Sequence, residues 1–135
     1  MVVRLAIAGF LLAHAAIHIG FISPRPPVTA GGPAWPFDVG HSWILGPLGV
    51  DAATSRALAI ALIAVILGGF ALAGIAAVGI APAGLWPVAV TIGGVASIAV
   101  LVPFFHPWLL LGIAIDVVLL WAVNVANWAP EGVTP

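Results

Sequence analysis

The sequence predicts an all-α integral membrane protein, a four-helix bundle with a long Pro-, Gly- and Trp-rich loop between its first two helices. Of the 135 residues, 64% are hydrophobic and only 5% are charged. A soluble domain of this size needs a far more polar surface. Four apolar runs, each about long enough to cross a bilayer core, are separated by segments rich in proline and glycine. We therefore expect one transmembrane domain over residues 1–135, with both termini on the same side of a plasma membrane.

The composition also excludes several kinds of chemistry. The chain has no cysteine, so disulfides and thiolate metal sites are excluded. Its basic residues are Arg4, Arg25 and Arg56, and without a lysine it cannot form a Schiff base with a cofactor. The three arginines form no basic cluster, so nucleic acid is not an expected partner.

The first predicted span covers residues 2–22 and contains His14 and His18. It is too long for the core of a cleaved signal peptide, so we interpret it as a retained helix. Residues 23–53 follow as a loop whose prolines and glycines break regular structure. Because this loop is apolar and contains Trp35 and Trp43, we expect it to form a cap on the bundle at headgroup level.

The remaining spans are predicted at about residues 54–79, 86–105 and 108–128. The second contains Gly69, Ala73 and Ala77, a spacing of small residues that lets helices approach closely. This surface favours the close docking of a neighbour, either another membrane protein or a second copy of the chain.

Polar side chains are predicted to converge halfway across the membrane. His14 and His18 are four residues apart and share one helix face. At a rise of about 1.5 Å per residue, His14 and Asp116 each lie roughly 12 Å below the same end of the bundle. Ser97 lies near the middle of the third span, so we expect these side chains to meet.

Asp116 is the most informative of these residues, because a carboxyl group inside a membrane costs a few kcal/mol unless it has a partner. Its functional interpretations are a metal ligand, a proton-carrying group or the counter-charge of a histidine. Its structural interpretation is a hydrogen bond to Ser97 or His14 that fixes helix packing.

The histidines leave three interpretations open. His14, His18 and Asp116 could bind a metal ion, with His41 or His106 completing the coordination sphere. A haem would need His41 or His106 as its second axial ligand, because two histidines on one helix cannot reach opposite faces of the ring. The third interpretation is structural, with the imidazoles hydrogen-bonded to Asp116, Ser97 or loop carbonyls.

Two motifs resemble a known group of proteins. These are the His-xxx-His of the first span, followed by Gly20-Phe21, and the block Phe-Phe-His-Pro-Trp-Leu-Leu-Leu-Gly-Ile-Ala-Ile-Asp at residues 104–116. They are similar to motifs of small four-helix bacterial membrane proteins, whose general plan is DoxX-like. The resemblance implies a bacterial plasma-membrane protein with four spans and no particular activity. The long loop departs from that plan.

The sequence singles out no catalytic residues and favours a non-enzymatic role. We expect an accessory or scaffold subunit that binds a copy of itself or another membrane protein through the small residues of the second span. The alternative is a redox protein that holds a metal ion or haem at the histidines. A lesser alternative is proton-coupled transport along a polar stripe from Asp116 to Asn127, which Leu120 and Val123 interrupt.

Overall fold

The computed structural model describes residues 1–27, 30–32 and 34–131, and every regular element within them is helical. The helices are α1 (Val2–Ile17), α2 (Ala52–Ala77), α3 (Leu85–Leu101) and α4 (Leu110–Asn124). A 3₁₀ turn, His18–Phe21, continues α1, and another, Pro107–Leu109, leads into α4. The predicted all-α class is confirmed. Residues 28, 29 and 33 of the predicted cap, and residues 132–135 of the predicted domain, lie outside the described residues.

Three helical stretches of the described chain are long and apolar enough to cross a membrane, judged by length and composition. They are Val2–Phe21, Ala52–Ala77 and Pro107–Asn124. Helix α3 is also apolar but has only 17 residues. The chain therefore has the features of a membrane protein, as its composition predicts.

Two helices end earlier than the sequence predicts. Helix α3 ends at Leu101 because Pro103, two residues later, has no N–H to continue the hydrogen-bond ladder. After α4 the chain reverses through Asn127, whose φ is 50°, while the N–H of Trp128 donates to the carbonyl of Ala122. Helix α4 therefore ends at Asn124, before the left-handed residue, and carbonyls of its last turn accept from the residues that follow.

The end of α4 removes the predicted polar stripe. Asn127 lies beyond the helix and cannot share a face with Asp116. Asn124, the last residue of α4, instead donates to the hydroxyl of Thr91 at 3.0 Å. The side chains that were predicted to form a path across the membrane therefore belong to separate local contacts.

The helices pack in chain order: α1 on α2, α2 on α3, and α3 on α4. Helices α1 and α4 make little direct contact with each other. Helices α2 and α3 approach closely at Gly69, where a Cβ atom would lie 2.9 Å from the backbone nitrogen of Gly93. Gly69, Ala73 and Ala77 are buried. The small residues that we expected to offer to a partner are thus used inside the chain.

The loop before α2 is fastened to the ends of α1 and α3. The hydroxyl of Ser42 donates to the carbonyl of Pro103 at 2.8 Å, and the indole of Trp43 donates to that of Val102 at 2.7 Å. The ring of Phe37 packs edge-on against Phe21, with centroids 5.1 Å apart. Side chains of the loop therefore satisfy carbonyls that follow α3, which otherwise lack partners.

Asp38 organises the exposed part of this loop. Its carboxylate accepts hydrogen bonds from the N–H of Gly40 at 2.8 Å and from Nδ1 of His41 at 3.0 Å, and the guanidinium of Arg25 lies 3.6 Å away. Partial burial raises the pKa of Asp38, but the Gly40 N–H, His41 and Arg25 together outweigh it and hold the pKa below its usual value.

Gly69→Ala tests the contact between α2 and α3. The added methyl group would meet the α3 backbone, which cannot move aside as a side chain can, so we expect a loss of about 1–3 kcal/mol in stability. Gly68→Ala is the matched control, because nothing lies within 4 Å of its Cβ position and alanine favours the helix. Thermal unfolding in detergent micelles measures both. Equal melting temperatures for the two variants would contradict this packing.

The loop contacts of Asp38 should depend on pH. Because its pKa is lower in the folded protein than in the unfolded chain, its stabilising contribution is complete above the unfolded value. That contribution is lost as the pH falls through the lower, folded value. The amide resonance of Gly40 should therefore shift in acid with a midpoint below 3.8, the ordinary value for aspartate. Asp38→Asn should abolish the shift, and a midpoint above 3.8 in the native protein would contradict the assignment.

Candidate functional site

Four buried side chains form one continuous hydrogen-bonded chain between three helices. Nε2 of His14 lies 2.8 Å from Oδ1 of Asp116. Oδ2 of Asp116 lies 2.5 Å from the hydroxyl of Ser97, which lies 2.8 Å from Nε2 of His18. None of the four residues is more than 3% exposed. We call this set the polar chain.

The helices place these residues for simple geometric reasons. His14 lies in the last turn of α1, and His18 follows one turn later at the start of the 3₁₀ segment. Asp116 lies in the middle of α4, and Ser97 faces it from α3. The contact predicted between Asp116 and both His14 and Ser97 is therefore present. Nδ1 of His18 is hydrogen-bonded to the backbone carbonyl of His14, at 3.2 Å, rather than to a loop carbonyl.

Aromatic rings separate the polar chain from the rest of the core. Phe70 of α2 packs edge-on against the His14 ring with centroids 5.4 Å apart, and Phe10 stacks on it at 6.3 Å. Phe21 lies 6.5 Å from the His18 ring. Such apolar surroundings lower the local dielectric constant, which strengthens each hydrogen bond and makes any unpaired group costly.

The positions of the protons follow from the partners. A carbonyl oxygen can only accept, so Nδ1 of His18 carries a hydrogen that it donates to His14. If Asp116 is ionised, it accepts from Ser97, and Ser97 accepts from a positively charged His18. If Asp116 is protonated, its hydroxyl donates to Ser97, and Ser97 donates to a neutral His18.

These two arrangements contain the same number of protons and have no net charge. They differ by the shift of two hydrogens along the line from Asp116 through Ser97 to His18. In both, His14 is neutral and donates its Nε2 hydrogen to Asp116. If Asp116 instead donated to His14, the chain would hold one more proton and a buried net positive charge, which is costly. The favoured arrangements therefore leave Nδ1 of His14 unprotonated.

A cleft of about 880 Å³ lies beside the polar chain, between α1 and α4 and beneath the loop. Most of its lining is apolar. The helical segments contribute His14, Ile17, His18, Leu101, Trp108, Leu109, Leu111, Gly112 and Ile115, and the loop contributes Arg25, Pro26, Pro27, Gly32 and residues 34–37. Ile17, Trp108 and Leu111 are also more than half exposed on the outer surface, so the cleft opens sideways between the two helices.

Nδ1 of His14 is the polar atom that the chain leaves free at this cleft. It has no hydrogen bond to any described residue, whereas every fully buried polar side-chain atom in the described part of the protein has a partner. Nδ1 is therefore not fully buried. The His14 side chain lines the cleft, and Nδ1 is its ring nitrogen without a partner among the described residues.

The structure separates the other two predicted ligands from this group. His41 is exposed and bonded to Asp38, while His106 caps the 3₁₀ turn before α4 by accepting from the N–H of Trp108 at 3.3 Å. Within the described ranges, no three or more His, Asp or Glu side chains are arranged to hold a metal ion. The metal and haem sites remain predictions from the sequence.

Sequence reasoning did not identify the cleft. Its wall on α4 and the preceding 3₁₀ turn includes Trp108, Leu111, Gly112 and Ile115, residues that share a helix face but are typical of any lipid-facing surface. One signal could have revealed the cleft. Asp116 must point inwards, and Ile115, which belongs to this face, is the residue before it.

Ser97→Ala tests whether the polar chain supports the fold. The change leaves Nε2 of His18 and Oδ2 of Asp116 without a partner, so we expect a loss of about 2–3 kcal/mol in stability. The control is Ser23→Ala, which also removes a hydrogen-bonded hydroxyl, in this case one that donates to the carbonyl of Ile19 at an exposed position. Thermal unfolding in detergent compares the two variants.

A pair of changes at Asp116 makes the same test independent of Ser97. Asparagine can accept from His14 and donate to Ser97, as protonated Asp116 does, so Asp116→Asn should fold with a modest loss. Asp116→Leu breaks both bonds and should be destabilised at least as strongly as Ser97→Ala. The same stability for the Asn and Leu variants would contradict the hydrogen-bond assignment.

No protein-family model, curated protein or solved structure matches this chain. The function is therefore argued from the polar chain and the cleft, and the DoxX-like resemblance remains a prediction.

Proposed function

We propose that this chain is a four-span membrane protein that takes up an apolar small molecule from the bilayer and holds it in the cleft against His14. The observation that carries the proposal is the combination of an apolar, laterally open cleft with a buried histidine whose Nδ1 has no partner. A well-packed protein rarely leaves both features at the same place without a use for them.

The size and chemistry of the cleft fit a small molecule. Its volume of about 880 Å³ falls within the usual range for ligand sites, roughly 300–1,000 Å³. Such sites combine apolar walls with a few polar groups that orient the ligand. Here the walls are aliphatic and aromatic, and His14 is the polar group beside the transmembrane helices.

The direction of entry follows from the loop. Ser42 and Trp43 fasten it to the end of α3, and residues 34–37 roof the cleft. Among the described residues, none of those that roof the cleft lies on the side between α1 and α4, whose edges are formed by the exposed Ile17 and Leu111. In a four-span arrangement these edges face lipid, so an apolar molecule enters from the hydrocarbon region rather than from water.

The arrangement of four spans is part of this proposal. Helix α3 has 17 residues and no charge, and at about 1.5 Å per residue it is about 25 Å long. That is at the short end of the lengths that cross a bilayer. Its close packing on the longer α2 supports a position within the membrane.

The accessory or scaffold role stays a prediction. Its main sequence argument was the small-residue surface of α2, and that surface is occupied by contacts within the chain. A membrane partner or a second copy would have to use another surface.

The test fills the cleft and measures binding of dodecylbenzene, an apolar probe. Ile115 is half-buried and lines the cleft, so Ile115→Trp should occupy its volume and weaken binding at least about tenfold. Ile75→Trp adds the same bulk to the exposed surface of α2 and should bind like the native protein. Native mass spectrometry of the detergent-solubilised protein counts the bound probe. Equal retention by the two variants, or no retention by the native protein, would overturn the proposal.

A further inference from the structure

The polar chain determines what kind of head group the cleft accepts. In both proton arrangements without net charge, Nε2 of His14 donates its hydrogen to Asp116. A neutral imidazole has one N–H and one lone pair, so Nδ1 of the same ring can only accept. The carboxyl group of Asp116 thus fixes the tautomer of His14, as carboxylates do for histidines at many catalytic and metal sites.

We propose that the cleft selects molecules whose apolar body carries a hydrogen-bond donor, a hydroxyl or N–H group, and that this group donates to Nδ1 of His14. A long-chain phenol or alcohol has this chemistry. The inference rests on the proposed function and deepens it, because it names the class of ligand that the same site takes.

Selectivity arises because His14 is shielded from water. Its side chain is only 3% exposed and packs against the rings of Phe70 and Phe10, so little water can bridge a mismatched pair. A ligand that offers only acceptor atoms, such as an ether, would bring its lone pairs against that of Nδ1 and leave both without a hydrogen. Buried polar groups left unpaired in this way cost about 1–3 kcal/mol.

The arrangement also strengthens the bond to a donor. As the ligand donates to Nδ1, positive charge develops on the His14 ring, and the carboxyl group of Asp116 lies 2.8 Å from its other nitrogen to stabilise it. Ser97 and His18 can respond by shifting the hydrogens of the polar chain towards the ionised form of Asp116. The charged group at the roof of the cleft is Arg25, which lies beside Asp38 in the loop.

A matched pair of probes tests the inference. Para-dodecylphenol and para-dodecylanisole have the same apolar body, but only the phenol has a hydrogen to donate. We expect the phenol to bind at least about tenfold more tightly to the native protein, the ratio that corresponds to one net hydrogen bond. His14→Phe keeps a ring at this position but removes the acceptor, and it should bind the two probes alike.

A spectroscopic measurement keeps the test decisive if His14→Phe fails to fold. In the ¹⁵N spectrum of histidine-labelled native protein, Nδ1 of His14 should have the shift of an unprotonated ring nitrogen. The phenol should move this resonance, and the anisole should leave it unchanged. A protonated Nδ1 in the empty protein would overturn the inference.

The outcomes separate the two proposals. Equal binding of both probes in the cleft, abolished by Ile115→Trp, would overturn the donor requirement and leave the proposed function standing. Binding of neither probe would overturn both. Tighter binding of the phenol together with a shift of the Nδ1 resonance supports both.

Discussion

The buried carboxyl group of Asp116 connects α4 to two other helices of the structure. An aspartate in an apolar helix must be paired, because a bare carboxyl group in a medium of low dielectric constant costs several kcal/mol. Here one oxygen pairs with His14 of α1 and the other with Ser97 of α3. Each hydrogen bond requires its partner at a fixed distance and direction, so the single carboxyl group fixes the relative positions of three helices.

This constraint explains how α1 and α4 are joined while the space between them stays open. Neighbouring helices in the chain are held by close packing, for example where α2 meets α3 at Gly69. Helices α1 and α4 have no such packing, and the bond between His14 and Asp116 joins them directly. A hydrogen bond joins two helices at one point, whereas apolar packing would fill the whole space between α1 and α4. The cleft can exist because these two helices are joined by hydrogen bonds and not by packed side chains.

The sequence predicted that these side chains meet, and it left hydrogen bonds among them as one of several interpretations. The spacing of His14 and His18 follows from the helix period, and equal depth placed His14 opposite Asp116. Other predictions failed where the outcome depended on tertiary detail. Helix α4 was predicted to continue to Trp128, but it ends at Asn124 and the chain then turns through the left-handed Asn127. His41 and His106 lie on the same side of the molecule as the polar chain, but local partners in the loop and the turn engage both of them.

The cleft could not have been predicted from any one segment. It depends on how far apart α1 and α4 stand, and that distance is fixed by side chains from α1, α3 and α4 and by the loop between α1 and α2. The lining residues of α4 follow the spacing of an ordinary lipid-facing surface, so their pattern contains no sign of a cavity. By contrast, the inward direction of Asp116 was predictable from its charge alone.

We infer that the polar chain, and not side-chain packing, holds α1 against α4. Because the chain contains no cysteine, spin labels can be attached at cysteines introduced at Leu12 of α1 and Val118 of α4, both exposed on the outer surface. Pulsed electron-electron double resonance should give a narrow distribution of the distance between these two labels in the otherwise native protein. Asp116→Leu should broaden it and shift it to longer distances, while a label pair on α2 and α3, at Ile60 and Val95, should be unaffected. An unchanged distribution between Leu12 and Val118 in the folded Asp116→Leu variant would contradict the claim.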